Sequence, residues 1–538
     1  MRLMHRIVPS LVFKSIKATH HFHLISTQTT PSNNLVSSIS DSFRRGWNWD
    51  FLATKFDSIA LDESLVEKVL LELKEPIDAK RALGFFHWSA HTKSFEHGLR
   101  SYCLAIHILV RARMNFDAKA LIESVLKNNS GDSVRFLVVD SLIATFKVTD
   151  SNPFVFDLLV QGYARLRMFE TGFDVCCYLE QNGFSLNLQS FNILIQNAHK
   201  SGQIVLVWKI YEHMIRRRIF PDEVTVRNLI GCLCKEGKLQ KFVDILDRIH
   251  EKRCSPSVIV NTCLVLRILE ENRIEEGILL LKKMLQKNMV FDTIAYSLIV
   301  LAKVKLGDLG SAREVFDEML KRGFQANSFV HTLFVGAYCK EGRIEEAQQM
   351  MEEMENRGLK AYDATYNFLI EGYAKAGKLE ESLSSCEKMM EKGMVPSCSA
   401  FNEMVNKLCE NGDAEKANGV LTPLLEEGFS PDEITYAHLI AGYGEKGDIE
   451  EVLKLFYEME SKSLSPNVSV FSTLISSFCQ SGKLEEAEKY FGIMKNRSLP
   501  RSASLYEKLI GSNIEKGNKK RALILHNEMI LEGFKSKS

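Results

Sequence analysis

The sequence has 538 residues, with 68 basic and 68 acidic side chains and therefore a formal charge of zero at pH 7. Its 45% hydrophobic and 25% charged residues are typical of a soluble folded protein, and no run of 18 uninterrupted apolar residues predicts a membrane span. The neutral balance also argues against a generally basic nucleic-acid binder.

Residues 1–40 have the composition of an organelle transit peptide followed by a disordered N-terminus. They contain no acidic residue, and apolar residues lie between their four basic ones, Arg2, Arg6, Lys14 and Lys17. This pattern favours import into mitochondria, with chloroplast import as the alternative because Ser and Thr are frequent from Ser26 onward. A disordered tail without a targeting role is the other interpretation. Without this segment 64 basic and 68 acidic residues remain, a formal charge of −4.

Residues 41–152 are expected to form an atypical helical cap with degenerate hairpins. The stretch from Leu99 resembles the first helix of a repeat unit, with Tyr102 at the fourth position. Residues 134–152 interrupt that register. A cap is expected because the end unit of a repeat stack has one face with no neighbour.

From Pro153 the sequence repeats every 35 residues without insertion or deletion. Eleven units fill residues 153–537 and begin at Pro153, Leu188, Glu223, Val258, Thr293, Ser328, Asp363, Cys398, Glu433, Val468 and Ala503. A fixed period of this length predicts a solenoid, in which each unit buries its apolar face only against its neighbours. The predicted fold class is all-α, an α-solenoid superhelix of helix-turn-helix hairpins with a 35-residue period. Positions within a unit are numbered 1 to 35 below.

The first half of each unit predicts an amphipathic helix. Position 8 is Ile or Val in all eleven units, position 7 is Leu in eight, and position 4 is aromatic in eight. Positions 4, 7, 8 and 11 share one face at a period of 3.6 residues. Position 15 is Gly in nine units and Asn272 in a tenth, and both residue types accept the left-handed conformation that ends a helix.

The second half predicts another helix that packs on the first. Acidic pairs such as Glu345-Glu346 begin it, a small residue such as Ala347 follows at position 20, and Met recurs at position 27. Regular Met residues favour core packing over a promiscuous binding groove. Pro occupies position 34 in five units, beyond the helix end. Position 12 carries four of the twelve cysteines, which we expect to be reduced and buried: Cys234, Cys339, Cys409 and Cys479.

The unit beginning Asp363-Ala-Thr-Tyr-Asn-Phe-Leu-Ile-Glu-Gly-Tyr-Ala-Lys-Ala-Gly-Lys-Leu-Glu-Glu resembles the pentatricopeptide repeat. The tetratricopeptide pattern fits less well, because it has 34 residues and Gly at position 8. The resemblance covers about 70% of the chain, and the uniform unit length resembles the P class of plant organellar proteins. It implies an all-α fold that binds single-stranded RNA, one base per repeat.

The same resemblance implies that the side chains at positions 5 and 35 of a repeat, here called a reader pair, address one base. The implied bases are uridine for Asn192/Asp222 and Asn402/Asp432, guanine for Thr262/Asp292, adenine for Ser297/Asn327 and cytosine for Asn367/Ser397. Six pairs depart from the family pattern: Asp157/Asn187, Arg227/Ser257, Thr332/Tyr362, Ala437/Asn467, Ser472/Ser502 and Glu507/Lys537. The implied site is therefore 5′-x-U-x-G-A-x-C-U-x-x-x-3′.

Binding to an RNA backbone requires positive charge, which position 13 supplies in six of the first seven repeats. These residues are Arg165, Lys200, Lys235, Lys305, Lys340 and Lys375. Position 13 is Glu or Gln in the other repeats, so the basic row is compatible with a neutral total charge. The alternative is that these side chains neutralise the C-termini of helices, and both roles can coexist.

The leading hypothesis is a single-stranded RNA-binding protein of an organelle that acts by occupying its site, with RNA-processing proteins as partners. A helical scaffold that binds proteins is the alternative, favoured by the neutral charge. No nucleophile–base arrangement, phosphate loop or metal-ligand spacing indicates an enzyme, a cofactor or a metal site. The expected form is a monomer without membrane attachment.

Overall fold

The computed structural model describes residues 33–129, 136–250 and 252–534. These residues form 29 α-helices and one short 3₁₀ turn, with no strand in the described ranges, which confirms the all-α prediction. The chain divides into two compact units, Met1–Ile210 and Tyr211–Ser538. Within the described ranges no helix has the length and apolar content needed to span a membrane.

Seven helices precede the regular repeats: α1 (Asn33–Arg44), α2 (Trp49–Lys55), α3 (Glu63–Glu72), α4 (Ala79–Thr92), α5 (Leu99–Arg111), α6 (Asn115–Asn128) and α7 (Leu137–Phe146). Helix α5 begins at Leu99, where the degenerate repeat was expected. Helix α1 packs on α3 and α4 and buries Val36, Ile39 and Phe43, which share one helix face. Residues 33–40, assigned to the N-terminal segment from composition, are thus part of the folded cap. Residues 1–32 lie outside the described residues.

Each of the eleven repeats contains two helices. The first helices are α8 (Phe154–Arg165), α10 (Leu188–Lys200), α12 (Glu223–Lys235), α14 (Pro256–Glu270), α16 (Asp292–Lys305), α18 (Ser328–Lys340), α20 (Asp363–Lys375), α22 (Cys398–Glu410), α24 (Glu433–Lys446), α26 (Val468–Gln480) and α28 (Ala503–Glu515). The second helices are α9 (Phe169–Gln181), α11 (Ile204–Arg216), α13 (Leu239–His250), α15 (Ile274–Leu285), α17 (Leu309–Lys321), α19 (Ile344–Asn356), α21 (Leu379–Glu391), α23 (Ala414–Glu426), α25 (Ile449–Ser461), α27 (Leu484–Asn496) and α29 (Lys519–Leu531). In the unit Tyr211–Ser538, first helices of neighbouring repeats pack directly on one another.

Position 15 lies just beyond the end of the first helix and has the left-handed conformation, as predicted. All nine glycines there have φ between 67° and 81°, and Asn272 has φ of 64°. In repeat 6, the amide of Gly342 donates to the carbonyl of Cys339 at 3.2 Å. The amide of Arg343 donates to the carbonyl of Tyr338 at 2.9 Å. These bonds satisfy carbonyls that the helix end leaves free.

The core lies between the two helices of the closed hairpins and between neighbouring repeats. All eight Met residues at position 27 are at most 1% exposed, which confirms them as core residues. At position 20 the two helices approach closely: a Cβ at Gly277 would lie 2.8 Å from Cδ2 of Leu269. In repeat 7 the hydroxyl of Ser382 at this position donates to the carbonyl of Ile370 at 2.8 Å. Only small side chains fit there.

Neighbouring repeats also match side-chain sizes between position 12 of one and position 10 of the next. A Cβ at Gly372 would lie 2.7 Å from Sγ of Cys339, and a Cβ at Gly442 would lie 2.6 Å from Sγ of Cys409. Burial raises the pKa of Cys409 to about 12, so this thiol stays protonated.

The prediction that the position-12 cysteines are buried is confirmed for two of the four. Cys409 and Cys479 are buried and Cys339 is half-buried, whereas Cys234 is exposed. For Cys234 the prediction was wrong. The next repeat carries Arg267 at position 10, and its guanidinium pairs with Glu236 at 2.8 Å instead of making room for a thiol.

Repeat 3 departs from the regular hairpin. Its second helix, α13, packs against α16 and α18, the first helices of repeats 5 and 6, and buries Phe242, Leu246 and Ile249. Phe242 occupies position 20, where the other ten repeats have Gly, Ala, Ser or Val. A Phe side chain does not fit the close helix approach at this position. The size of this residue accounts for the open hairpin.

Candidate nucleic-acid interface

At eight of the ten junctions between repeats, position 35 is the N-cap of the first helix of the next repeat. At seven of the ten junctions its side chain accepts a hydrogen bond from a backbone amide of that helix: Asn187, Asp222, Asn327, Ser397, Asp432, Asn467 and Ser502. In repeats 1, 5, 7 and 8 a hydrogen bond also joins the residue at position 35 to position 5 of its own repeat. Sequence reasoning overlooked this capping role, although Asp followed by Thr three residues later, as in Asp432 and Thr435, is a capping signature.

The reader pair of repeat 8 has two direct hydrogen bonds between its members. The amide nitrogen of Asn402 donates to both carboxylate oxygens of Asp432, at 3.0 and 3.1 Å, while Thr435 donates to the Asn402 oxygen at 2.6 Å. Burial raises the pKa of Asp432, but hydrogen bonds from Thr435 and Asn402 outweigh it and hold the pKa below its usual value. The carboxylate therefore stays ionised and acts only as an acceptor.

The reader pair of repeat 7 shows the same connection with different groups. The backbone amide of Ser397 donates to Oδ1 of Asn367 at 2.9 Å, and the hydroxyl of Ser397 caps α22 by accepting from Ala400 at 3.3 Å. Asn367 is half-buried and Ser397 is exposed. The amide nitrogen of Asn367 thus remains a donor for a ligand.

In repeat 5 the pair is buried and saturated. The amide nitrogen of Asn327 donates to the Ser297 hydroxyl at 2.9 Å, and its oxygen accepts from Val330 at 3.0 Å. Ser297 is 0% exposed and Asn327 3% exposed. Position 35 is half-buried or exposed in all other repeats for which it is described. In this conformation the implied adenine reader presents no edge to a ligand.

The pair of repeat 4 is not joined. The Thr262 hydroxyl is buried and has no hydrogen-bond partner among the described residues, whereas Asp292 is exposed. Helix α16 includes Asp292 and has Phe291 as its N-cap, so the cap is one residue earlier than in repeat 8. The implied guanine reader therefore lacks the arrangement of the regular pairs.

Asn192 and Asp222, the members of the repeat 2 pair, belong to different compact units of the chain. Asn192 is buried on α10. Asp222 is exposed and caps α12, where Thr225 donates to its carboxylate from the backbone amide at 2.9 Å.

The basic side chains at position 13 are all exposed, but their partners differ. Arg165 pairs with Glu123 at 2.9 Å, and Lys375 pairs with Glu371. Lys305 donates to the carbonyl of Leu269 at 2.9 Å, in the last turn of α14, which is the helix-neutralising role. Lys340 has no ion-pair partner within the described residues, and Lys200 and Lys235 also lie at the C-termini of first helices.

A cavity of about 300 Å³ opens beside two of these lysines, between α18 and α20. It is lined by Gly336, Cys339, Lys340, Phe368, Glu371, Gly372 and Lys375. Within the described ranges no three His, Cys, Asp or Glu side chains converge on a metal position. Lys340 and Lys375, which line this cavity, can bind a negatively charged group of a ligand.

Models of three pentatricopeptide repeat families match the chain. They are the PPR repeat family at residues 187–235 and 431–480, the pentacotripeptide-repeat region of PRORP at 285–452, and the PPR repeat at 224–254 and 469–499. Together they span more than half of the chain and lie within the 35-residue repeats.

Proteins similar to this chain carry the same repeats. A mitochondrial pentatricopeptide repeat-containing protein of Arabidopsis thaliana is 50% identical over 249 residues, which is 45% of this chain and 45% of that protein. Another mitochondrial one from the same plant is 28% identical over 178 residues, 33% of each. The matched region thus spans less than half the length of either relative.

Among solved structures, the pentatricopeptide repeat protein PPR10 in complex with an 18-nucleotide psaJ RNA element is similar. It is 17% identical, with a TM-score of 0.41, over 93% of this chain and 84% of that chain. The 35-residue hairpins, the matching family models and the 50% identical relative lead to one assignment. The chain belongs to the pentatricopeptide repeat family.

Proposed function

We propose that the protein binds single-stranded RNA in a sequence-specific manner and acts by occupying its site, without catalysis of its own. The observation that carries this proposal is the repeat 8 pair, in which Asn402 and Thr435 hold an ionised Asp432 at the end of a first helix. Repeats of this family read one base each through two or three side chains.

The chemistry of the pair favours uracil. The N3–H group of uracil is a donor, and the Asp432 carboxylate accepts hydrogen bonds only. Cytosine has an acceptor at the same ring position and would face the carboxylate without a donor. The implied preference for uridine at repeat 8 is therefore consistent with the donors and acceptors of its side chains.

The substitution Asp432→Asn tests this assignment. An Asn side chain still caps α24 but adds an amide donor, so the preference should shift from uridine toward cytidine by about 1–3 kcal/mol, on the scale of one base-edge contact. The measurement is the affinity of both proteins, at one salt concentration, for two RNAs that differ only at that base.

Asp448→Asn is the matched control. Asp448 caps the second helix α25, where it accepts from Glu451 at 3.2 Å, and it belongs to no reader pair. This variant should keep the preference of the parent protein. If Asp432→Asn loses the same affinity for both RNAs, or changes neither affinity, the repeat 8 pair does not read this base.

The proposed location is the mitochondrion, which the name of the 50% identical relative and the basic, acid-free N-terminus support. Because α1 packs into the cap from Asn33, we propose that the targeting information lies within residues 1–32. These residues fused to a fluorescent protein should label mitochondria. A chloroplast signal would support the alternative organelle, and a cytosolic signal would contradict both.

The proposed process is organellar RNA metabolism, which includes processing, stability, splicing and translation, with RNA-processing proteins as partners of a monomer. A protein-binding scaffold is the second candidate. It is favoured by the exposed apolar side chains of the last hairpin: Ile514, Leu523 and Leu531, which are 54%, 62% and 86% exposed. Selection of RNAs by the full chain from a random pool separates the two, since the scaffold predicts no enrichment.

A further inference from the structure

Phe368 is an exposed aromatic side chain on the first-helix face. It occupies position 6 of repeat 7 and follows the reader residue Asn367. Its ring is 39% exposed. At position 6 of repeats 1, 4 and 5 the side chains are buried, and no other repeat has an aromatic ring of Phe, Tyr or Trp there. The ring therefore presents exposed apolar surface on the proposed RNA-binding face.

The neighbouring helix provides a flat support for this ring. A Cβ at Gly336 of α18 would lie 2.7 Å from Cε2 of Phe368, so the ring rests where Gly336 has no side chain. The ring borders the cavity of about 300 Å³, a size within the range of small-ligand pockets. Lys340 and Lys375 line the same cavity, and so does Glu371, which pairs with Lys375.

We propose that Phe368 stacks with a base of the bound RNA, and that Lys340 and Lys375 bind the adjoining phosphates. Every base has a π face, so an aromatic platform accepts any base, in contrast to the reader pairs. The cationic groups place a phosphate beside the ring. This inference rests on the proposed RNA binding and adds a contact that lies outside the reader pairs.

The test combines a substitution in the protein with the removal of a base from the RNA. Phe368→Leu should weaken binding of an intact RNA by roughly five- to 100-fold, the range for one stacked base. A series of RNAs is then used, each with one abasic nucleotide at a different position. For the RNA that lacks the stacked base, Phe368→Leu should not weaken binding any further. Gly336→Ala pushes a methyl group into the ring and should reproduce part of the loss.

Phe116→Leu is the control, because Phe116 is an 86% exposed Phe on α6, outside the regular repeats. It should leave the affinity unchanged. The stacking inference is overturned if Phe368→Leu weakens the binding of every abasic RNA as much as that of intact RNA. It is also overturned if Phe368→Leu weakens the binding of no RNA. Failure of the parent protein to bind any RNA would instead overturn the proposed function.

The placement of α13 supports a second, independent inference. Arg248 of α13 pairs with Asp363 at 3.6 Å and lies 4.2 Å above the ring of Tyr362. His250 stacks on Phe291 with ring centroids 4.4 Å apart and hydrogen-bonds to Thr293 at 3.1 Å. These contacts attach the second helix of repeat 3 to repeats 4 to 7.

The residues beneath α13 are those that a base would need to reach. Ile294 at position 2 is 0% exposed, whereas Val224 and Ile434 at the same position are 44% and 51% exposed. Ser297 and Asn327, the reader pair of repeat 5, are buried too. The helix thus covers the face of repeats 5 and 6.

The layer of second helices stays connected without α13. Helix α11 contacts α15 directly, where Arg273 pairs with Glu212 and Lys283 donates to the carbonyl of Arg216 at 3.1 Å. A cavity of about 330 Å³ with the 58% exposed Leu279 lies between them. Release of α13 would therefore leave the adjoining hairpins in contact.

We infer that α13 is an internal competitor of the RNA, displaced when a strand occupies repeats 5 and 6. This inference also rests on the proposed RNA binding. Arg248→Glu removes the contacts to Tyr362 and Asp363 and should tighten binding roughly three- to tenfold. A shorter RNA confined to repeats 7 to 11 should show no gain. Arg357→Glu, which breaks a 2.8 Å pair with Glu353 on the second helix α19, is the control.

Hydrogen exchange of the full chain gives a second measurement. On RNA binding the amides of α13 should exchange faster, while those of α16 and α18 exchange more slowly. Slower exchange in α13, together with unchanged affinity of Arg248→Glu, would overturn the inference while RNA binding itself stands. Absence of any RNA binding would overturn the proposed function.

Discussion

Repeats 3 and 7 have the same length and the same signals for two helices, yet only one closes into a hairpin. In repeat 7, Ser382 at position 20 fits between the helices and bonds to Ile370. In repeat 3, Phe242 stands at that position, and α13 packs on the first helices of repeats 5 and 6. The two repeats share the 35-residue period with its helices and turns, but they differ in the size of the side chain at position 20 and in the partners of the second helix.

Placing the large residue of repeat 3 at position 20 of repeat 7 should have the largest effect on stability. Ser382→Phe should destabilise the α20–α21 hairpin by about 3 kcal/mol, from overpacking and the lost hydroxyl bond. Hydrogen exchange in these helices measures it, because a solenoid unfolds locally. Ser382→Ala is the control and should cost about 1 kcal/mol. Equal effects of the two variants would show that side-chain size at position 20 is not decisive.

The two second helices should also differ in the unmodified protein. Helix α13 lacks the hairpin packing that α21 has, so its amides should exchange roughly 30-fold faster, which corresponds to about 2 kcal/mol of local stability. Exchange measured by mass spectrometry on peptides from each helix checks this. Equal protection of α13 and α21 would contradict the difference in packing.

A smaller difference in local stability is expected when the N-terminal residues of α24 and α16 are substituted. Asp432→Ala removes the side chain that caps α24 and should cost about 1 kcal/mol of local stability. Asp292→Ala should cost less, because Asp292 lies inside α16 and Phe291 is the N-cap. Thermal unfolding and hydrogen exchange of the first turns compare them. The opposite ranking would contradict the capping assignment.

The pH dependence of this cap follows from the same carboxylate. The pKa of Asp432 is lower in the folded chain than its ordinary value, so its contribution to stability is present above the ordinary pKa and is lost as the pH falls through the folded one. The Asp432→Asn variant should lack this acid-dependent loss. An identical acid transition in both proteins would assign the loss to other groups.

The smallest expected change concerns the salt dependence of RNA binding. Lys340 has no ion-pair partner within the described residues, so Lys340→Gln should reduce the slope of log affinity against log salt by about 0.7. Lys305→Gln should reduce it less, because that ammonium already donates to the carbonyl of Leu269. Titrations at several salt concentrations distinguish them. Equal slopes for both variants would show that this bond does not limit RNA contact.

Sequence periodicity predicted most of the fold because each signal is local. The glycines at position 15, the Met residues at position 27 and the start of α5 at Leu99 agree with the structure. The placement of α13 was beyond such reasoning, because it depends on contacts between residues more than 100 positions apart, such as Arg248 with Asp363.

The candidate site was predicted less completely than the fold. The reader positions follow from resemblance, and the structure adds that position 35 is a helix cap held beside position 5, as in Asn402 and Asp432. In repeat 8 Asn402 is 7% exposed and Asp432 is half-buried, whereas in repeat 5 both members of the pair are buried and Asn327 is 3% exposed. Residue identity gives the hydrogen-bonding groups, and tertiary packing decides whether they are accessible.

The fit between positions 10 and 12 of successive repeats constrains how such a chain can be rearranged. Cys339 and Cys409 each need a glycine in the repeat that follows, at Gly372 and Gly442. A duplicated, deleted or transplanted repeat would place these thiols against a larger side chain. The unit that can be moved intact is therefore a pair of adjacent repeats. Recombination and protein engineering should both join repeats outside such a pair and not between its two members.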